Sequence, residues 1–106
     1  WDWMWPKLAA HLGVAAAPYP GHAQPLEKQM AGMGPVWDKI VAKHGLQKNA
    51  LTSVASWWHS DADLGRVIEN FTDMTKSRDK GFTGYQNSVH SFTDAFDKLR
   101  AAKVLP

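Results

Sequence analysis

The amino-acid sequence predicts a mostly helical fold with about one short strand. Two observations carry that expectation. Apolar residues recur three and four positions apart along most of the chain, the spacing that lines one face of an α-helix. Glycines and prolines stand where such segments begin and stop, and only one run is rich in β-branched and aromatic residues. At 106 residues the chain suffices for one domain at most.

The elements follow in order. Residues 1–12 place Trp1, Met4, Trp5, Leu8 and Leu12 at helical spacing, and Gly13 is the expected stop. Pro6 has no amide hydrogen, so this helix must begin near it. Residues 14–25 carry Pro18, Pro20, Pro25 and Gly21 with almost no charge and read as an extended loop. A short helix over 26–33 is expected to end at Gly32 and Gly34. Pro35 and Gly45 bracket the clearest helix, with Val36, Trp37, Ile40, Val41 and His44 on its inner arc and Asp38, Lys39 and Lys43 outside. Asn49 is expected to cap a fourth helix whose apolar stripe is Leu51, Val54, Ala55 and Trp58. The run 66–71 (Arg66, Val67, Ile68, Glu69, Asn70, Phe71) is the expected strand. Asp73 should cap a short helix that Gly81 ends, and residues 88–103 should form the last helix. There Val89, Phe92, Ala95, Phe96 and Leu99 face inward, and His90, Asp94, Asp97 and Lys98 face outward.

One strand cannot satisfy its own backbone groups, so the expected strand needs a sheet that this chain does not supply. The chain also holds six tryptophans, three of them at Trp1, Trp3 and Trp5, and opens without methionine inside a helical pattern. Indoles bury large areas and need a partner for the ring N–H. These features lead to the expectation that the chain is a piece of a longer polypeptide, its first tryptophans packing against residues outside it.

Composition excludes several function classes. Twelve Lys+Arg against ten Asp+Glu leave a formal charge of +2, too weak for a phosphate-binding surface. Lys76, Arg78 and Lys80 are diluted by Asp73 and Asp79, so no nucleic-acid partner is expected. With no cysteine there is no disulfide, thiolate zinc site or cysteine nucleophile, a composition that fits a reducing compartment. The apolar stretch 1–19 is interrupted by Asp2, Pro6, Lys7, His11 and Pro18, so no membrane span is expected. No basic segment precedes its apolar part, so it does not read as a secretory signal.

Signatures of local chemistry are missing. The run from Gly32 through Met33, Gly34, Pro35 and Val36 puts Trp37 where a dinucleotide fingerprint needs its third glycine, and no strand precedes it. There is no P-loop, and neither Tyr19 nor Tyr85 has a lysine four residues on. His11, His22, His44, His59 and His90 never pair at the spacing that sets two metal ligands on one helical face. His59, Asp61 and Asp63 cluster in sequence, but such groups read as helix caps or solvated side chains rather than a metal site. His44, in the last turn of its helix, reads as a helix-end histidine. His59 lies roughly 100° from Trp58 on a helix, at the edge of the expected apolar stripe. It either lines a ligand pocket with flat apolar walls or is a boundary histidine beside core tryptophans.

A longer pattern adds to this reading. It comprises Gly34-Pro35-Val36-Trp37, Ile40-Val41, His44-Gly45-Leu46, Trp57-Trp58, Asp61 and Leu64-Gly65. It continues through Asp73-Met74-Thr75-Lys76-Ser77, Gly81-Phe82-Thr83-Gly84-Tyr85, Asn87-Ser88, Phe92 and Lys103-Val104-Leu105-Pro106, with an aromatic opening from Trp3 to Ala9. In order and spacing, the whole resembles the progesterone 5β-reductase and iridoid synthase-like family. The resemblance implies the C-terminal substrate-binding lobe of an α/β Rossmann-type extended short-chain dehydrogenase/reductase. It implies NADPH as cofactor, bound upstream together with the catalytic tyrosine and lysine, and reduction of the C=C bond of an enone or related carbonyl compound. Hydride would pass to the β-carbon while upstream donors stabilise the enolate oxygen.

What this lobe would add is enclosure, positioning a small-molecule substrate and excluding water. The family places an aromatic residue, usually phenylalanine, after the paired tryptophans to face substrate. Here that position is His59, a smaller and more polar ring. The expected substrate-binding residues are His59 and Trp58, followed by Met30 and Met33, whose flexible side chains suit an adaptable loop. The resemblance also implies packing on the chain's own upstream Rossmann domain and a cytoplasmic location, and leaves a homodimer open. The alternative is a free-standing helical interaction module without catalytic activity. Such a module would cover residues 1–12 and 67–71 with its own side chains, whereas a lobe would leave them as an apolar patch with an unpaired strand edge.

Overall fold

Seven helices make up the regular structure of the described residues, 1–68 and 71–106, in the computed structural model. Helix α1, Trp5–Leu12, follows a tight turn in which the Trp1 carbonyl accepts the amides of Met4 and Trp5. Pro6 sits in its first turn, and Gly13 ends it with φ 72°, a left-handed conformation that costs a residue without Cβ nothing. Helix α2, Leu26–Gln29, is a single turn. Helix α3, Gly34–His44, has Pro35 in its first turn and ends at Gly45, φ 60°. The Leu46 amide then donates back to the Val41 carbonyl, which turns Leu46 into the core.

Helices α4, Leu51–Val54, and α5, Trp57–Leu64, stand where one helix was expected. Ala55 and Ser56 between them are extended, which resets the helical phase. The expected stripe therefore does not carry through: Trp57 is half-buried, while Trp58 is 63% exposed. Ala50, not Asn49, occupies the α4 cap position and makes no side-chain cap. Helix α6, Thr75–Asp79, is preceded by Asp73, whose carboxylate accepts both the amide and the hydroxyl of Thr75. Helix α7, Ser88–Ala101, is capped by Asn87, whose side-chain oxygen accepts the Val89 amide at 2.9 Å.

The described part of 66–71 corrects the strand expectation. Arg66, Val67, Ile68 and Phe71 are in no strand; Glu69 and Asn70 lie outside the described residues. β-propensity is a preference for a pleated, half-buried surface, and these side chains have none to join: Val67 is 97% exposed and Phe71 89%. Other boundaries move too. The 26–33 segment is helical only to Gln29, and the last helix stops at Ala101. Val36, His44, Phe92 and Leu99, expected inside, are exposed.

Two helix pairs organise the chain: α1 packs on α7, and α2 packs on α5. The first pair is bridged by His11 Nε2 and Asp97 Oδ1 at 2.9 Å, across 86 residues of sequence. Gln47 ties the end of the chain to the loop after α3, donating its amide to the Lys103 carbonyl and its side-chain nitrogen to that of Ala102. Among the described residues the buried apolar core is small, consisting of Met4, Leu8, Trp37 and Leu46.

Much apolar surface stays uncovered. Trp1, Trp3 and Trp5 are 55%, 57% and 46% exposed, with Trp1 stacked on Trp5 and edge-on to Phe92. The accessible surface is 8688 Å² against about 5,900 Å² for a self-contained domain of this mass. The radius of gyration, 16.9 Å, exceeds the roughly 13 Å of such a domain. No helix is long and apolar enough to cross a membrane, among the described residues.

Candidate functional site

Of the residues expected from sequence to bind substrate, Trp58 and His59 lie on α5, Met30 closes α2 and Met33 precedes α3. Pro25 precedes α2 and has no side-chain group to cap it. The free amides of its first turn are met instead from α5: Asp61 Oδ1 accepts Leu26 N–H at 2.7 Å and Oδ2 accepts Glu27 N–H at 3.0 Å. A carboxylate at a helix N-terminus also faces the positive end of the backbone dipoles. After α2 the chain bends through Gly32, φ 74°, into α3. Met30 closes α2, donating its amide to the Leu26 carbonyl, and Met33 occupies the α3 cap position; both are half-buried.

On α5, Trp58 and His59 are both exposed, their rings edge to face with centroids 5.3 Å apart. His59 Nε2 lies 3.3 Å from Asp63 Oδ2, one turn on, and Asp63 also receives Arg66. Both side chains are exposed, so this is a solvent-facing contact along the helix surface. The structure thus sets His59 and Trp58 on one helix, and Met30 and Met33 on the bend that leaves its packing partner. Two open depressions of ≈420 and ≈430 Å³ lie elsewhere, one lined by Asp38, Val41, Ala42, Lys48, Asn49 and Ala50, the other by Gly65, Arg66, Val67 and Ile68.

Asp61 is the residue whose role the sequence could not reveal. Its reading as a cap is right in kind, but the helix it caps begins 35 positions earlier. Only the packing of α2 on α5 makes that partnership visible. The His59, Asp61 and Asp63 cluster is therefore taken up by a helix end and an ion pair. Among the described residues no group of three His, Asp or Glu side chains is placed to hold a metal ion.

The glycine run at 32–34 does not form a phosphate cradle. It leads into α3 with Pro35, which has no N–H, in the first turn and Trp37 buried in the core.

No family model matches the chain. Curated relatives match it from end to end. (S)-8-oxocitronellyl enol synthase ISY1 of Nepeta cataria is 42% identical over 107 residues, covering all of this chain and 27% of its own length. (S)-8-oxocitronellyl enol synthase CYC2 of Camptotheca acuminata is 37% identical over 108 residues, with the same coverage. 3-oxo-Delta(4,5)-steroid 5-beta-reductase of Arabidopsis thaliana is 35% identical over 108 residues, again covering 27% of that protein. The chain thus spans 27% of the length of these relatives, their C-terminal part, and along that stretch it belongs to the progesterone 5β-reductase and iridoid synthase-like family.

Proposed function

We propose that this chain is the substrate-binding part of an NADPH-dependent reductase acting on the C=C bond of an enone or related carbonyl compound. The observation that carries the reading is end-to-end similarity to relatives whose names describe oxocitronellyl enol formation and reduction of a 3-oxo-Δ(4,5)-steroid, a conjugated enone. NADPH is bound upstream in this reading, together with the catalytic tyrosine and lysine, since the glycine run here has Trp37 in place of a third glycine and Pro35, without an N–H, in the first turn of α3. The present residues bind and orient. Trp58 offers a flat apolar wall, His59 a smaller, polar-edged ring beside Asp63, and Met30 and Met33 a polarizable border that adapts to different substrates. Their contribution to rate is enclosure: they hold the alkene in register and keep water out.

The exposed tryptophans support a lobe over a free-standing interaction module. An autonomous chain would cover Trp1, Trp3 and Trp5, whereas a lobe presents them to its own upstream domain. A cytoplasmic setting fits a cysteine-free chain, and assembly as a homodimer is compatible with the same open surface.

The test is His59→Phe in a full-length reductase carrying this segment. It should change relative kcat/KM across small and bulky enones by about tenfold while cofactor KM stays put. Unchanged relative rates across the panel would remove His59 from the substrate wall.

A further inference from the structure

We infer that Asp61 is a positioning residue for the substrate wall: its carboxylate seats α2, and with it Met30 and the bend to Met33, against α5. The inference rests on the proposed reading of the α2–α5 pair as that wall.

Helix α2 is one turn long, well below the length at which a helix holds itself together in water. It follows a loop with three prolines whose residues are exposed, and Pro25 cannot cap it. Asp61 supplies what is missing, with one carboxylate oxygen on each of two successive amides. Two charge-assisted bonds to a rigid pair of donors fix orientation as well as distance. The backbone that carries the carboxylate is itself held in α5. Asp61 is half-buried, and its backbone carbonyl accepts the Gly65 amide at 2.9 Å in the last turn of α5. Trp58 lies three residues before Asp61 and so shares its side of the helix, whereas His59 turns toward Asp63. Loosening α2 therefore shifts Met30 and the bend after it relative to α5 and leaves the His59–Asp63 pair in place.

The experiment compares Asp61→Ala, Asp61→Asn and Asp61→Glu in a full-length reductase carrying this segment, with His59→Phe in parallel. Hydrogen exchange of the amides at 26–30 should accelerate in Asp61→Ala, and enone KM should rise about three- to tenfold with kcat and cofactor KM within about twofold. Asp61→Asn, which keeps one acceptor, should fall between Ala and the parent, and it carries the test if Asp61→Ala does not fold. A purely structural role would lower active enzyme, and hence kcat, at constant KM. Unchanged exchange at 26–30, or faster exchange with unchanged enone KM, overturns the inference. If His59→Phe shifts selectivity while the Asp61 variants leave KM alone, the inference falls and the wall reading stands. If neither moves an enone parameter, the wall reading fails and takes the inference with it.

Discussion

The indole Nε1–H of Trp37 donates a 2.7 Å hydrogen bond to the backbone carbonyl of Asn49, joining the first turn of α3 to the entry of α4. The bond lets the largest side-chain type sit in the core with its one polar atom satisfied. Asn49 thus contributes its carbonyl, while Ala50 stands at the cap position of α4.

Trp37→Phe should therefore destabilise the fold by about 1–3 kcal/mol, through an unpaired carbonyl and a smaller ring. The midpoint of denaturant unfolding in a full-length reductase carrying this segment measures it. A loss within about 0.5 kcal/mol, the range of ordinary surface changes, would mean that the bond contributes little.

Gly65 is constrained by contact rather than by torsion. Its φ, −88°, suits any residue, but a Cβ there would stand 2.7 Å from the Asp61 carbonyl oxygen. Gly65→Ala should cost about 1–3 kcal/mol by forcing the end of α5 to shift. Gly84→Ala is the control. Its Cβ would also meet an atom at 2.7 Å, but that atom is the far end of the exposed Phe82 ring, which swings aside, so its cost should stay within about 0.5 kcal/mol. Equal unfolding midpoints for the two variants would contradict the distinction.

Asp73 titrates below the ordinary aspartate value of 3.8, first because the Thr75 hydroxyl and then because the Thr75 amide donates to its carboxylate. A lowered folded-state value means that the ionised form favours the fold. The contribution is complete above the unfolded value and is lost as pH falls through the folded one. Thr75→Ala removes the larger cause, so the Asp73 carboxyl should move back up toward 3.8. Carboxyl-carbon NMR titration reads this directly, and an unmoved midpoint would refute the assignment.

The exposed indoles give a test of the lobe against the free-standing module. In a full-length reductase carrying this segment, Trp3→Ala should cost about 3 kcal/mol or more if Trp3 is buried there. The same change in the 106-residue chain, where Trp3 is 57% exposed, should stay within about 0.5 kcal/mol. Equal small effects in both would favour the module.

Local chemistry made much of the fold legible. Pro6 and Pro35 mark two helix starts, and Gly13 and Gly45 two left-handed stops. Each signal acts within a few residues, so spacing alone reveals it. The Asn87 cap of the last helix emerged only with the structure. The family was legible as well, because ordered motifs survive where single ones are weak. The break at Ala55 and Ser56 was not, since no proline or glycine marks it, and losing it misplaced Trp58 on a buried stripe. The strand over 66–71 was read from propensity, which depends on neighbours that the described chain does not provide.

By itself the sequence determined the mostly helical class, several start and stop points and the family, because these follow from backbone sterics, apolar period and motif order. Only the tertiary structure decided that Asp61 caps a helix 35 residues earlier, that Trp37 hangs from Asn49 and that His11 reaches Asp97. Those pairings join residues far apart along the chain, and packing alone fixes which distant donor meets which acceptor.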